Sequence, residues 1–268
     1  MPDFSTLWPY ALQGLAPIAV LALLTWIASV VRRDASLVDR TWSLMIAGPA
    51  LVYTLHAAWA GPRTAAVLAL VVAWGVRLSA YITARNWGHG EDRRYQAIRE
   101  RNQPHFALKS LVIVFALQMV LAWIVSAPTL AALVGTRPFG ALDMVGILAA
   151  AIGFAFETIG DLQMAEFKGD ATNRGKVMDR GLWRYTRHPN YFGEALFWWG
   201  IWIIALSAGG LAAAWTVLSP LLMTGLLLKV SGVALLEKDI AERRPAYRDY
   251  IARTNAFIPG PPRKEARA

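Results

Sequence analysis

The sequence predicts an all-α, polytopic membrane protein of seven transmembrane helices, and three observations carry that prediction. Of its 268 residues, 56% are hydrophobic and only 17% charged, against about 25% charged in an ordinary soluble domain. Apolar stretches of the roughly 20 residues needed to cross a bilayer core recur along the chain. The basic residues gather in the segments between those stretches rather than along one face of a helix.

Taken in order, the spans fall at about 8–31, 37–60, 64–84, 110–134, 143–165, 191–208 and 212–236, punctuated by Gly61-Pro62 and Gly209-Gly210. Arg32 and Arg33 follow the first span; the loop from Arg85 to Lys109 is dense in both signs. The loop from Lys168 to Arg187 and the tail after Glu237 are basic, whereas the opposite side offers Arg63 and Arg137. The positive-inside rule then places the N-terminus outside and the C-terminus in the cytoplasm. No cleavable signal is expected, because Met1 to Thr6 holds no basic region and the first apolar stretch is too long. The chain reads as one membrane domain over 1–268, with a cytoplasmic helix and tail over 237–268, the helix running from Lys238 to Arg253.

Composition also excludes. Without cysteine there is no disulfide, thiolate nucleophile or cysteine-ligated metal. His56, His89, His105 and His188 have no ligand spacing, so no metal is expected. The net charge of +9 is accounted for by topology and anionic membrane lipid rather than by nucleic acid.

Ionisable groups inside a span are costly and mark function. Glu157, Asp161, Met164 and Lys168 are spaced 4, 3 and 4 apart, which puts them on one helix face. For Lys168 alone, snorkelling to the interface is an equally good account. The sixth span opens with Arg187-His188-Pro189-Asn190-Tyr191-Phe192-Gly193-Glu194. Pro189 suits a helix start, where its missing N–H costs nothing, and Tyr191 suits an interface. A capping turn alone leaves Asn190 and Glu194, one turn apart, unexplained. Lys229 and Glu237 lie eight residues apart on roughly one face of the seventh span. These groups predict a cytoplasmic cavity able to hold a phosphate-bearing cofactor. In the first half, Asp39, Arg40 and Trp42 open the second span, while Trp74 and Arg77 lie in the third. Arg77 is expected to pair with a carboxylate, Asp39 being a candidate. Most charges from Arg85 to Tyr95 read as a solvated loop, but Asn86 and the glycines suggest an ordered turn over a ligand.

The run Gly181 to Glu194 resembles the signature of bacterial membrane proteins related to steroid 5α-reductases. Leu37 to Trp42, Glu91-Asp92-Arg93-Arg94-Tyr95, Ser231 to Glu237 and Tyr250 to Pro259 match the same group, so the likeness covers nearly the whole chain. The resemblance implies seven helices in a bacterial cell membrane and NADPH-dependent reduction of the Δ4 double bond of a 3-oxosteroid. It implies a lipophilic steroid-like substrate arriving from the membrane lipid, and no obligate protein partner. By position, Asp161 and Lys168 match an aspartate and a basic residue that contact the cofactor. Asn190 and Glu194 match an amide and a carboxylate, and Lys176 and Lys229 fall where related enzymes have arginines. Asn86, Arg94 and Tyr95 match residues of the loop after the third span. Met164, His188, Tyr191 and Glu237 complete the expected cofactor-binding set. The catalytic positions, a glutamate and a tyrosine in the family, are matched by Asp39 and Trp74. Indole donates one hydrogen bond but supplies no phenolic proton.

Two other functions fit parts of the pattern. Isoprenylcysteine carboxyl methyltransferases, which use S-adenosylmethionine, carry a similar arginine-histidine-proline turn followed by a glutamate. A non-catalytic, lipid-binding scaffold fits the hydropathy but gives no reason for the intramembrane charges.

Overall fold

The computed structural model describes residues 1, 3–57, 61–230 and 245–263. Among them, all regular structure is helical. Helix α1 (Phe4–Arg32) is capped by Asp3, whose side chain accepts from the Thr6 N–H, and it contains Pro9 and Pro17. It ends where Arg33 turns left-handed at φ 53°. Helix α2 (Leu37–Tyr53) has 17 residues, about 25 Å at the helical rise, with a 3₁₀ turn Thr54–His56 after it. Next come α3 (Pro62–Arg85), started by a proline in its first turn, and the short α4 (Arg93–Arg101), capped by Asp92. Helix α5 (Phe106–Val134) includes a π-helical stretch, Leu111–Ala116. Helices α6 (Ala141–Gly169) and α7 (Pro189–Gly209) follow. Past a 3₁₀ segment, Gly210–Val217, come α8 (Leu218–Gly225) and a π-helical turn, Leu226–Val230. A final helix, α9 (Tyr247–Arg253), precedes the Pro-rich end.

Five helical stretches among the described residues are long and apolar enough to cross a membrane: Ser5–Arg32, Pro62–Arg85, Phe106–Val134, Ala141–Gly169 and the continuous run Pro189–Lys229. The chain is therefore a multi-pass membrane protein. Of the seven expected spans, α2 is shorter than a standard crossing. The expected break at Gly209-Gly210 is present, with Gly210 at φ 63°, but helical turns run on through it. Of the expected cytoplasmic helix, Tyr247–Arg253 is seen, and Lys238 to Arg244 lies outside the described residues.

The chain forms two compact units. Unit 1 comprises Met1–Asp143 and Trp202–Ser219; unit 2 comprises Met144–Ile201 and Pro220–Ala268. In unit 1, α1, α2, α3 and α5 pack together around Tyr53, Trp74 and Phe115, all fully buried. Small residues let these backbones approach: a Cβ on Gly75 would lie 2.6 Å from the Ala47 side chain and 3.0 Å from the Ser43 carbonyl. At one end of the unit, Arg63 and Asp143 form a buried, two-pronged ion pair at 2.7 and 2.9 Å. Asp143 also accepts from Ser207 (2.7 Å) and the Gly140 N–H (2.9 Å). Arg63 also donates to the Arg137 and Pro138 carbonyls at 2.8 and 3.0 Å. Both charges thus have well-formed partners, the condition under which a buried pair is tolerated.

Unit 2 is held by close contact between α6 and α7. Gly153 and Gly160 on α6, and Gly193 and Gly200 on α7, repeat every seven residues. A Cβ on Gly193 would lie 2.4 Å from the Glu157 backbone nitrogen, and one on Gly200 equally close to that of Ala150. Such small-residue seams are how apolar helices associate in lipid, where the hydrophobic effect offers no drive. The seam sets the start of α7 against Gly160 and Asp161.

Candidate functional site

Polar side chains of the kind expected to carry chemistry gather in two places, one in each unit. In unit 1 the α1–α2 corner is tied to the loop before α4. The Glu91 carboxylate accepts from the Ala35 N–H at 2.7 Å and from two Arg99 nitrogens, each at 2.8 Å. Burial works against the ionised Glu91, but the Arg99 and Ala35 hydrogen bonds win and hold its pKa below the ordinary glutamate value. Asp34 accepts from the N–H and hydroxyl of Ser36, fixing the entry to α2. That clamp carries α4 to the first turn of α2. There the Tyr95 hydroxyl donates to Asp39 Oδ1 at 2.6 Å and Arg94 Nη2 donates to Oδ2 at 2.9 Å. Arg94 is itself steadied by Asp92 at 3.0 Å. Tyr95 is buried, and burial together with the Asp39 carboxylate raises its pKa well above the usual phenol value. The phenol stays protonated at any physiological pH and acts as a neutral hydrogen-bond donor.

Asn86, expected among the cofactor ligands, lies in this same unit: its carbonyl accepts from Arg40 Nη2 at 3.1 Å and its side-chain oxygen from Arg85 at 3.2 Å. Trp74, expected beside Asp39 in catalysis, is fully buried on α3. Asp39, one candidate partner expected for Arg77, has its two oxygens engaged by Arg94 and Tyr95. The loop arginine and phenol win because α4 folds back over the α2 start, a reversal that hydropathy does not reveal.

In unit 2 the signature run forms a tight connection between α6 and α7. Gly181, at φ 57°, supplies the left-handed turn that other residues avoid. Leu182 N–H donates to Gln163 at 3.0 Å, and the Trp183 indole donates to the Gly160 carbonyl at 3.0 Å. Pro189 then starts α7, and Asn190 Nδ2 donates to Asp161 Oδ1 at 3.1 Å. Asn190 Oδ1 is buried and has no hydrogen-bond partner among the described residues. Glu157, Asp161, His188 and Glu194 are all buried, and His188 stacks on Tyr191 with 5.3 Å between ring centroids. Met164 is half-buried one turn past Asp161. Lys168, Lys176 and Lys229 are exposed. Glu237 lies outside the described residues.

The C-terminal segment braces this connection. The buried Arg187 guanidinium donates to the Thr254 and Ile251 carbonyls, and its N–H donates to the Asn255 carbonyl at 2.9 Å. Thr186 donates to the Phe257 carbonyl at 2.8 Å, Gly260 N–H to the Tyr185 carbonyl at 3.0 Å, and the Tyr250 hydroxyl to the Trp183 carbonyl. Helix periodicity put Asp161 on a face with Glu157 and Asn190 on a face with Glu194, and the structure joins Asp161 to Asn190 by a hydrogen bond. Sequence reading missed three features: the Arg187–Tyr250 brace, the Asp39–Tyr95 bond and the Arg63–Asp143 pair. The first and last join residues more than 60 positions apart, and the match between Tyr250 to Pro259 and the signature family was the one available hint of the brace.

This architecture, a multi-pass helical membrane protein with a polar cluster in each unit, has a defined family. The chain belongs to the family described as "Protein of unknown function (DUF1295)", which matches residues 25–254. It is similar to an uncharacterized protein of Schizosaccharomyces pombe, C594.04c, at 26% identity over 92% of this chain and 78% of the relative. No solved structure matches.

Proposed function

We propose that the chain is a membrane reductase that uses NADPH to saturate the carbon–carbon double bond of a lipophilic enone, such as a 3-oxo-Δ4-steroid. The observation that carries this reading is the Asp161–Asn190 pair, whose acceptor Asn190 Oδ1 is unmatched among the described residues. A buried acceptor left unpaired costs about 1–3 kcal/mol, so the pair is completed by a ligand that brings N–H or O–H donors. A carboxamide and a ribose diol are such donors, and a dinucleotide carries both. Lys168, farther along α6, and Lys176, in the loop after it, supply positive charge suited to phosphate.

Bound NADPH supplies the hydride. The chain's own residues hold and orient it, and stabilise the negative charge that develops on the ketone oxygen. For that second task Tyr95, kept neutral, is a donor of the right type, and Asp39 with Arg94 fixes its hydroxyl. The phenol that Trp74 lacks is thus supplied from the loop. The same reading takes the chain as seven spans in a bacterial cell membrane, with the N-terminus outside and the C-terminus cytoplasmic. Reporter fusions in the 135–140 and 170–180 loops test that orientation.

The functional test is calorimetric titration of purified protein in detergent with NADPH and, separately, S-adenosylmethionine, followed by NADPH oxidation with a panel of steroid enones. NADPH binding that weakens about tenfold or more in Asp161→Ala, on the scale of one lost hydrogen bond to a charged group, supports the reading. Binding of S-adenosylmethionine in its place would assign a methyltransferase.

A further inference from the structure

On unit 1, an open groove of about 820 Å³ runs along α2 and α3 toward the loop that follows α3. This is within the range that lipophilic ligands occupy. Leu44, Val76, Ala80 and Ala84 form its apolar walls and Trp87 lines its end. Trp87 is 72% exposed and Val76 54% exposed, so the groove is an open surface rather than a sealed core. Tryptophan at such a rim is typical of the membrane–water boundary.

Two arginines, Arg40 and Arg85, meet at the Asn86 end of this rim. Ser79, which lines the groove, donates to the Arg40 carbonyl at 2.6 Å, and Arg40 Nη2 reaches the Asn86 carbonyl between Ala84 and Trp87. Arg40 Nε is buried with no hydrogen-bond partner among the described residues. Arg85 is exposed beside it, its Nε on the Asn86 side chain. Neither Arg40 nor Arg85 forms a salt bridge at contact distance among the described residues; Arg85 lies over the Tyr81 ring, 5.7 Å from its centroid, and within electrostatic reach of Asp39 and Asp92. The adjacent carboxylates, Asp39, Asp92 and Glu91, are engaged by Arg94 and Arg99. A buried guanidinium N–H without an acceptor calls for one.

We propose that this groove binds an anionic phospholipid, with one acyl chain along the α2–α3 walls and the phosphate on Arg40 and Arg85. Guanidinium forks match phosphate oxygens in geometry as well as charge. A zwitterionic lipid fills the same groove but gains less from two cations. The inference does not depend on the reductase reading.

Native mass spectrometry of the full chain, delipidated and then titrated with phosphatidylglycerol or phosphatidylcholine, tests it. The expected result is about a tenfold preference for phosphatidylglycerol, the scale set by two cations near a lipid phosphate. Arg85→Gln, an exposed change that leaves folding intact, lowers that preference severalfold, and Arg40→Gln lowers it further. Ala80→Trp fills the groove and reduces binding of both lipids. Equal binding of the two lipids, or an unchanged preference in the Arg40→Gln, Arg85→Gln double variant, overturns the proposal. So does Ala80→Trp raising KM for an enone while leaving phosphatidylglycerol binding intact, since the groove would then belong to the substrate. None of these outcomes bears on whether NADPH binds Asp161.

Discussion

Two aspartate–arginine contacts of unit 1, Asp143–Arg63 and Asp39–Arg94, are alike in distance and differ in what surrounds them. Asp143 has no exposed side-chain area and Arg63 only 9%, and every strong donor and acceptor of the pair is matched. Asp39 and Arg94 keep 27% and 40% of their side chains exposed, and their third member is a phenol. The first arrangement joins the loop before α6 to the ends of α3 and α7. The second holds a protonatable group at an accessible surface. A saturated network fixes structure, whereas a partly open one leaves room for a ligand to take a hydrogen bond.

Breaking the first contact should produce the largest effect. Asp143→Ala leaves Arg63 buried and uncompensated, and removing one partner of a buried pair costs about 3–5 kcal/mol. Thermal unfolding in detergent should show a drop of many degrees, or loss of folded protein on expression. Asp39→Asn sharpens the contrast from the other side. Its ion pair is exposed enough that the stability change should be about 1 kcal/mol or less, while enone-dependent NADPH oxidation should fall by at least tenfold. If Asp39→Asn instead unfolds the protein as Asp143→Ala does, the two contacts do the same job and the functional assignment of Asp39 fails.

Tyr95→Phe is the next smaller test. It removes one hydroxyl from a buried position, so the fold should persist and NADPH affinity should stay near the parent value. The turnover number for an enone should drop, since the lost donor serves the developing charge rather than cofactor binding. A change in NADPH affinity alone would return Tyr95 to the cofactor-binding role that the sequence resemblance implies.

The smallest effect concerns pH. The folded-state pKa of Glu91 is depressed, so its contribution to stability is fully present above the unfolded glutamate value. It is lost as pH falls through the lower folded value. Stability measured from pH 6 downward should therefore decline in the acid range, and Glu91→Gln should flatten part of that decline. Tyr95, with its raised pKa, contributes no change over the same range.

Helix periodicity made unit 2 legible. Asp161 and Asn190 met because each lies on the face its spacing assigns, and Pro189 marked the helix start between them. The basic side chains of that set, Lys168, Lys176 and Lys229, are exposed, as long cations near a helix end or in a loop tend to be. Unit 1 was less legible for a physical reason. Tyr95 lies 56 residues from Asp39, and Arg63 lies 80 from Asp143. Local pattern carries no information about contacts closed by a loop reversal. Arg77 illustrates the same limit: its depth in a span called for a carboxylate, but nothing in the spacing forbade Arg94 from taking Asp39.

The sequence by itself determined that the chain is helical, multi-pass and asymmetric in charge, because apolar runs of span length and the positions of Arg and Lys are properties of single segments. It also placed Asp161 and Asn190 among the residues of interest, since one helix turn relates the groups on each face. Which arginine pairs with which aspartate was decided only by tertiary structure. So was the bracing of the signature turn by the C-terminal segment, and the burial of the Asn190 amide oxygen without a partner among the described residues. Those features depend on how close two backbones come, as where Gly193 meets Glu157, and on which partners are left over once the helices have packed.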